Sequence, residues 1–469
     1  MEFKLFINSN LIDYCLKEFD VIFSVPSDSV EECKKFISQR AKVIPSRYPS
    51  HKMLNIKRDN NILTLYENFV RQILALTYPK NKNYEKCISQ EFQIKSYKNA
   101  QSNRSFLSKL RTTLVINLAK LASFFYFFRK FIQLLAIIFL RNSYHQDIFR
   151  NFNPSLVVVG SMGLDADGYA IYEAKKNSVK SVVINQSWDR TVCKGYPVIH
   201  PDEIIVWNHH MKDEAKYYLE MNNNNIHVEG APPWDFLFHK ENLQNKNDFV
   251  KSLDLDPAKP LIYYPMSSAF WHKDLIENIS DFYEASVKNI INKDIQIIFR
   301  VHPYYWRNKK LRRELFEKLD KLKKIKNFYI NYNQVGADSN YSFLHPKDQN
   351  FVLNCYKHSD VCISVTSSSM VEMILSGKPS INFLYGDWKL DNQYIKMKDF
   401  LLHHLEKLYS YNIIKHVYSF NDLIMEVNNL KDLELDKGLL NKFIEGEFPN
   451  NRGNSAEAYS KRLKKILVK

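Results

Sequence analysis

Short apolar segments alternate with longer segments of helical composition through the last two-thirds of this sequence, and this alternation restricts the fold most. Such runs are typical of parallel strands buried on both faces, with helices in the connections. The pattern therefore predicts an α/β fold. The predicted strands lie at 156–160, 181–185, 203–207, 226–230, 261–265, 295–301, 328–331, 361–365 and 380–384.

The alternation restarts after Leu255-Asp256-Pro257. A chain of 469 residues is longer than one ordinary hydrophobic core requires and suits two. The simplest architecture is two Rossmann-like domains facing a central cleft. We assign 1–240 to the N-terminal domain and 241–469 to the C-terminal domain. Residues 1–150 carry weaker signals, among them the apolar runs LFIN and DVIFSV.

The charge balance predicts an anionic partner. There are 66 Lys+Arg against 51 Asp+Glu, a net charge of +15. A nucleotide, a nucleic acid or a membrane surface would each fit this charge. The six cysteines form no CxxC pair and no cluster with His at zinc spacing, so neither a disulfide scaffold nor a zinc site is expected. The first residues lack the apolar run of a signal peptide, which favours a cytoplasmic protein.

A basic segment at 104–141 has two possible roles. No Asp or Glu occurs between 92 and 146. The uncharged run at 131–140 is shorter than the roughly 20 residues that span a bilayer. On one continuous helical wheel the cations occupy one half and large apolar residues the other. The cations are Arg104, Lys109, Arg111, Lys120, Arg129, Lys130 and Arg141; the apolar residues are Phe106, Leu110, Leu114, Leu121, Phe125, Phe128, Ile132, Leu135 and Phe139.

This pattern fits a helix that lies in an anionic membrane interface and makes the protein peripheral. It fits equally a helix packed on the N-terminal domain with a solvated basic face. Asn117 or Ser123 could interrupt the helix. A second basic stretch, 307–326, carries ten cations and three acids. We expect it to be a solvated helix face beside an anion site, since no nucleic-acid-binding motif accompanies it.

Two polar motifs follow predicted strands of the C-terminal half. Arg300-Val301-His302-Pro303 ends the strand at 295–301, and a serine-rich stretch from 366 to 369 follows the strand at 361–365. Open α/β sheets bind ligands at the carboxyl ends of their strands. The serine stretch also begins a predicted helix that Gly377-Lys378-Pro379 ends.

A helix start rich in hydroxyl groups suits a phosphate or diphosphate. Its backbone N–H groups and dipole favour an anion, and Thr366, Ser367 and Ser368 add hydroxyl donors. The alternative is an N-cap at Ser367 or Ser368 without a ligand, with Glu372 in a capping box. An imidazole at His302 could donate to the oxygen of a leaving nucleotide.

FRVHP (299–303) and DVCISVTSSSMVEMILSGKPSINF (360–383) resemble the donor-binding half of GT-B-fold transferases. The likeness is to CDP-glycerol glycerophosphotransferases and bacterial sialyltransferases, which share an HP motif and a serine-rich motif. It covers about 155–390 and implies that His302 contacts or protonates the donor phosphate, that serines bind it and that Glu372 lies near the ribose or sugar. The donor site expected on this basis comprises Arg300, His302, Pro303, Thr366, Ser367, Ser368, Ser369 and Glu372.

Sialyltransferases also carry an acidic pair followed by Gly, in which an Asp is the general base. This chain has Asp165-Ala166-Asp167-Gly168, with one residue inserted. Asp165 or Asp167 is therefore a candidate base, or Asp167 caps the next helix. Trp188-Asp189 and Trp234-Asp235 are candidate cleft residues, whereas Trp207 is expected in the core.

The resemblance favours a metal-independent, cofactor-free GT-B glycosyltransferase. It would move a sugar from a CMP- or CDP-linked donor to a surface-glycan or lipid-linked acceptor. The alternatives are a CDP-polyol phosphotransferase of the teichoic-acid type and a UDP-sugar 2-epimerase. The non-enzyme alternative, a nucleic-acid-binding protein, is not favoured.

Overall fold

We describe the chain from a computed structural model. The described residues are 5–6, 9–35, 37, 41–47, 62–101, 105–139, 144–162, 165–239, 241, 243–267, 275–302, 305, 309–332, 346–390, 393–396 and 401–468.

The chain divides into two compact units. Unit 1 comprises Met1–Asp235, Leu401–Glu406 and Gly446–Lys469, and unit 2 comprises Phe236–Phe400 and Lys407–Glu445. The division from sequence, at 240/241, is contiguous, whereas two segments of the C-terminal half belong to unit 1. The second of these is held partly by Asp235, whose Oδ2 accepts a hydrogen bond from the Ala456 N–H at 2.9 Å.

Unit 1 is built on a four-stranded parallel sheet in the order β3-β4-β5-β6, and a separate parallel pair, β1-β2, precedes it. Its elements to residue 235 are α1 Leu11–Cys15, β1 Ile22–Pro26, α2 Val30–Lys34, β2 Lys42–Ser46, α3 Ile62–Ala75, α4 Ser89–Ala100, α5 Phe106–Phe124, α6 Tyr126–Phe139, α7 Gln146–Phe152, β3 Leu156–Val159, α8 Asp165–Lys176, β4 Lys180–Ile184, β5 Glu203–Val206, α9 His209–Tyr217 and β6 Ile226–Val228.

Unit 2 contains a six-stranded parallel sheet and a small antiparallel hairpin, β12-β13. The elements from residue 236 onward are α10 Lys246–Lys251, β7 Leu261–Pro265, α11 Leu275–Val287, β8 Gln296–Arg300, α12 Lys309–Leu322, β9 Phe328–Asn331, α13 Pro346–His358, β10 Val361–Ser364, α14 Ser368–Leu375, β11 Ser380–Phe383, β12 Asp387–Leu390, β13 Gln393–Lys396, α15 His403–Ser410, β14 Lys415–Val417, α16 Phe420–Asn428, α17 Lys437–Glu447 and α18 Ser455–Val468. Helix α15 begins in unit 1, and α18 lies wholly within it.

All nine predicted strands are present, each within a residue or two of its expected ends. Every residue of strands β7, β8, β10 and β11 is buried. Burial on both faces of the sheet explains the unbroken apolar runs in their sequences. The prediction of an α/β fold with two units on parallel sheets is confirmed.

The basic segment does not form the single helix predicted for 104–141. Helix α5 ends at Phe124 and α6 begins at Tyr126, and the intervening Phe125 is extended, with φ −108° and ψ 113°. The break falls at neither Asn117 nor Ser123. Among the helices of the described ranges, none has the length and hydropathy to cross a membrane.

The predicted basic face is also divided. The Arg129 guanidinium is buried and forms an ion pair with Glu220, and the Lys130 ammonium donates to the Tyr196 hydroxyl at 2.7 Å. Burial lowers the pKa of Lys130. These two cations therefore face the interior of unit 1, although the wheel placed them with the solvated ones.

Candidate functional site

The strand order of unit 2 identifies one edge of its sheet as the place for a ligand. The order is β9-β8-β7-β10-β11-β14, or 3-2-1-4-5-6 when the strands are counted from β7. This is the order of dinucleotide-binding folds, in which ligands lie at the carboxyl ends of the strands where the order reverses. Here the reversal falls between β7 and β10.

Both polar motifs predicted from sequence follow strands at this reversal. His302 follows β8 and Ser367 follows β10, and each of these strands pairs with β7. Since all three strands are parallel, both residues lie at the same edge of the sheet. Two strand spacings, about 10 Å, separate β8 from β10. That distance is suitable for groups acting on different parts of one nucleotide diphosphate.

Ser367 is the N-cap of α14. Its Oγ accepts a hydrogen bond from the Ser369 N–H at 3.1 Å, and its carbonyl accepts one from the Met370 N–H. Among the described residues, the Ser367 hydroxyl donates its proton to no acceptor. Ser368, the first residue of the helix, is exposed. The N-cap predicted as the simpler alternative is thus present, and it leaves a donor at the start of the helix.

Thr366 joins β10 to α14 in a strained conformation. Its φ is 41°, in the left-handed region that β-branched residues avoid. The Thr366 N–H donates to the Asn382 Oδ1 at 2.8 Å, and its Oγ1 lies 3.5 Å from the Tyr409 hydroxyl. Asn382 is fully buried on β11 and also donates to Tyr409. These contacts fix the conformation of the β10–α14 turn and so the orientation of the first residues of α14.

Gly377 ends α14 as predicted. It has φ 78°, and the hydrogen bonds from the Gly377 N–H to Ile374 and from the Lys378 N–H to Met373 form a Schellman motif. The helix is therefore closed at both ends by local sequence.

Glu372 is not part of a capping box. It is the fifth residue of α14, and its Oε2 accepts a hydrogen bond from the Tyr356 hydroxyl of α13. Burial and this carboxylate raise the pKa of Tyr356 well above its usual value, so the phenol keeps its proton. This hydrogen bond engages the Glu372 carboxylate inside unit 2.

Arg300 is buried, and its known partners lie within unit 2. Its Nη1 donates to the Asn331 Oδ1 at 2.8 Å and lies 3.8 Å from the Asp348 Oδ1. Its guanidinium carbon is 5.9 Å from the centroid of the Phe351 ring. These contacts hold the guanidinium against β9 and α13. Pro303 lies outside the described residues.

Ser267 is a residue of this edge that the sequence analysis did not single out. It follows β7, and its buried Oγ has no hydrogen-bond partner among the described residues. The signal was available, since Ser267-Ser268 after β7 repeats the arrangement of Ser367-Ser368 after β10.

The candidate base lies in unit 1, after β3. Helix α8 begins at Asp165, whose side chain is outside the description, and Asp167 is its third residue with a buried side chain. Asp167 is therefore inside the helix and is not its N-cap. Within the described ranges, no group of three or more His, Cys, Asp or Glu is placed to hold a metal ion.

The candidate cleft tryptophans have different environments. Trp207 is buried, as predicted, and its Nε1 donates to the Asn185 carbonyl at 2.9 Å. Trp234 is also buried, and its ring centroid lies 5.0 Å from that of Trp207. Trp188 is half-buried, with its ring centroid 5.3 Å from that of His404. Only Trp188 of the three retains partial exposure.

His404 could not have been grouped with this region from sequence. It lies in the segment that returns to unit 1, and its Nδ1 is 3.7 Å from the Cys193 Sγ. Burial lowers the pKa of His404 to about 4, against the opposing effect of Asp189. Burial acts to raise the pKa of Asp189, but Lys194 and a hydrogen bond from Ser187 bring it below its usual value.

Comparison with known proteins gives structural similarities only. No family model matches the chain, and no curated protein matches it. Among solved structures, S. aureus MnaA with UDP is 13% identical, with 96% of each chain covered and a TM-score of 0.46. A Listeria monocytogenes protein assigned as a UDP-N-acetylglucosamine 2-epimerase is 15% identical over 69% of this chain and 76% of that one, with a TM-score of 0.43. The wall teichoic acid polymerase TagF, as a variant, is 15% identical over 67% of this chain and 73% of that one, with a TM-score of 0.41.

Proposed function

We propose that this chain is a GT-B-type enzyme that acts on a nucleotide-activated sugar, and that it is a glycosyltransferase. The observation that carries this proposal is the 3-2-1-4-5-6 sheet of unit 2 with a serine-capped helix at the reversal of strand order. The resemblance of 299–303 and 360–383 to GT-B transferases that use cytidine nucleotides favours a CMP- or CDP-linked donor.

The start of α14 binds the donor phosphate in this proposal. The helix dipole favours negative charge there, and the Ser367 hydroxyl can donate while its oxygen accepts from Ser369. The exposed Ser368 supplies a second hydroxyl. Ser369 and Thr366 maintain the geometry of the turn through their backbone N–H groups.

Transfer requires a proton donor for the leaving group and a base for the acceptor. The acceptor oxygen forms a bond to the anomeric carbon, the bond from that carbon to the phosphate oxygen breaks, and the nucleotide leaves with the electron pair. His302 donates a hydrogen bond or proton to the departing phosphate. Asp165 or Asp167 takes the acceptor's proton. A glycan or lipid-linked glycan of a surface polysaccharide is the acceptor class.

Thermal unfolding with CMP, CDP, UMP and UDP tests the nucleotide site. A ligand at about 100 times its dissociation constant stabilises the native state by roughly 2.7 kcal/mol. Ser367→Asp keeps an N-cap acceptor but places a negative charge against the phosphate, so we expect the stabilisation to disappear while the unliganded protein stays as stable as the parent. Ser376→Ala, at the other end of α14, is the matched control and should respond like the parent.

The identity of the stabilising nucleotide and product separates the alternatives. Stabilisation by cytidine nucleotides supports the proposed donor, and UDP alone would favour the UDP-sugar 2-epimerase, which turns over without an acceptor. A phosphodiester in the product would indicate the CDP-polyol phosphotransferase. If no nucleotide stabilises the chain, and it binds nucleic acid with steep salt dependence, the enzyme proposal is wrong.

A further inference from the structure

Four consecutive aromatic side chains are exposed where α5 meets α6. Phe124, Phe125, Tyr126 and Phe127 have exposed fractions of 61%, 59%, 51% and 85%. We call these four residues the aromatic turn. Contiguous exposed apolar patches are typical of surfaces that bind another protein, a membrane or a ligand.

Apolar exposure continues along both helices away from the aromatic turn. The exposed residues recur at helical spacing, so each helix presents one apolar face to solvent. They are Phe106, Leu107, Leu110, Leu114 and Leu121 on α5, and Phe131, Leu134 and Ile138 on α6. The opposite faces pack with α3 through smaller residues, among them Val115, Ala119 and Ala136.

A lysine-rich groove adjoins the aromatic turn. It has a volume of about 570 Å³ and is lined by five lysines, which we call the lysine groove: Lys80, Lys86, Lys95, Lys98 and Lys120. Glu91 is the acid among its lining residues, and it pairs with Lys86. Phe124 lines the same groove, and the Lys80 ammonium lies 3.9 Å from the centroid of its ring. The cationic and aromatic surfaces are therefore continuous.

We propose that the aromatic turn and the lysine groove form one docking surface for an anionic lipid bilayer. The aromatic side chains enter the boundary between headgroups and acyl chains, and the ammonium groups bind lipid phosphates. A soluble polyanion would use the lysines without the aromatic residues. A second copy of this chain would bring lysines against lysines. Only a surface that is both apolar and negatively charged complements both parts.

This surface extends the proposed function, because it would hold the enzyme where a lipid-linked acceptor resides. It is tested without nucleotide, so the two proposals can fail separately. The full chain is sedimented with vesicles of phosphatidylcholine and with vesicles that also contain phosphatidylglycerol. We expect the parent to bind the second kind and to bind the first at least about tenfold more weakly.

Two variants test the two parts of the surface. Phe125→Ser with Phe127→Ser should weaken binding to the anionic vesicles by about tenfold or more. Neutralising four lysines of the groove should weaken it by about 10²-fold or more, and Lys86 is left unchanged because it pairs with Glu91. The substitutions are Lys80→Gln, Lys95→Gln, Lys98→Gln and Lys120→Gln.

Matched controls lie on unit 2. Val287→Ser with Ile290→Ser removes apolar side chains that are 57% and 51% exposed. A second control removes four exposed lysines at and just beyond the end of α12, by Lys321→Gln, Lys323→Gln, Lys324→Gln and Lys326→Gln. Both controls should bind like the parent, and thermal unfolding of every variant establishes that each one folds.

The proposal is overturned if the folded parent does not sediment with anionic vesicles. It is equally overturned if the lysine control loses as much binding as the groove variant, since net charge alone would then explain the result. Concentration-dependent self-association that the phenylalanine substitutions abolish, without vesicle binding, would assign the surface to a second copy.

Discussion

The β10–α14 connection and the α5–α6 hairpin differ in where they place their large apolar side chains. Helix α14 buries Met370, Met373 and Leu375 and exposes Ser368. The hairpin exposes most of its phenylalanines and leucines, whereas its buried side chains are alanines, a valine, two isoleucines and several polar groups. A binding site at a helix end requires that the helix itself be firmly packed in the core. A docking surface instead requires apolar side chains that are exposed to solvent.

The polar groups inside the hairpin all belong to hydrogen-bonded networks. The buried Gln133 donates to the Pro197 carbonyl at 2.8 Å and contacts His200 at 3.0 Å. The buried Ser123 accepts hydrogen bonds from the Tyr78 N–H and from Gln90. These hydrogen bonds determine which face of the hairpin is buried, because buried polar groups need partners. The opposite, apolar face is therefore the one exposed to solvent.

Replacement of His302 by alanine has the largest expected effect. Loss of a proton donor to the leaving phosphate should lower the transfer rate by about 10²–10⁴-fold, with little change in the unfolding temperature. The measurement is product formation at saturating donor. His239→Ala, at an exposed position of unit 2, should transfer at the parental rate. Near-normal transfer by His302→Ala would remove this residue from the mechanism.

Acid should destabilise the hairpin side of unit 1 through His200. Burial lowers the pKa of His200 to about 4 from the ordinary 6.5. Above pH 6.5 both folded and unfolded states are neutral, and between pH 6.5 and 4 only the unfolded state gains the proton. Stability should therefore fall as the pH drops through this window, by up to about 3 kcal/mol.

Urea unfolding at several pH values measures this dependence. His200→Gln retains a donor for the Leu219 carbonyl and an acceptor for Gln133, but it does not titrate. The slope should become smaller in this variant and stay unchanged in His209→Gln, at an exposed position. Equal slopes in all three proteins would show that His200 does not titrate as described.

The buried and exposed faces of the α5–α6 hairpin should respond differently to a change in side-chain size. Ala119 is fully buried against α3 and α6, so Ala119→Leu should overpack the core and cost about 2 kcal/mol. Phe127→Ser, at a side chain 85% exposed, should change the free energy of unfolding by less than about 0.5 kcal/mol. A large loss at Phe127 would mean that its ring is packed in solution and does not form a docking surface.

Gly377→Ala should cost less stability than Ala119→Leu. An added Cβ would meet no atom within 4 Å, so the cost is confined to the backbone, which has φ 78°. We expect a loss of about 1 kcal/mol in the free energy of unfolding. Nucleotide stabilisation should persist, because the change is at the far end of α14 from Ser367.

Much of the sheet architecture could be predicted from sequence, because a fully buried parallel strand leaves an uninterrupted apolar run. Strand β14 and the β12–β13 hairpin were not predicted, since the sequences KHV, DWKL and QYIK interrupt their apolar residues with polar ones. The positions of His302 and Ser367 beyond the carboxyl ends of β8 and β10 were predictable, because each motif comes shortly after its strand in the sequence. The role of Glu372 was not, since its partner Tyr356 lies on another helix.

The sequence by itself determined the strands, the capped helix α14 and the segment without acids, because each depends on neighbouring residues. Tertiary structure alone decided which face of α5 and α6 is buried. Both faces are apolar enough to pack. The buried face is the one whose small side chains let α3 approach closely, and its Arg129 and Gln133 form hydrogen bonds with other residues of unit 1. It also brought His404 to unit 1 from far along the chain. No local pattern encodes such contacts, because their free energy depends on residues distant in sequence.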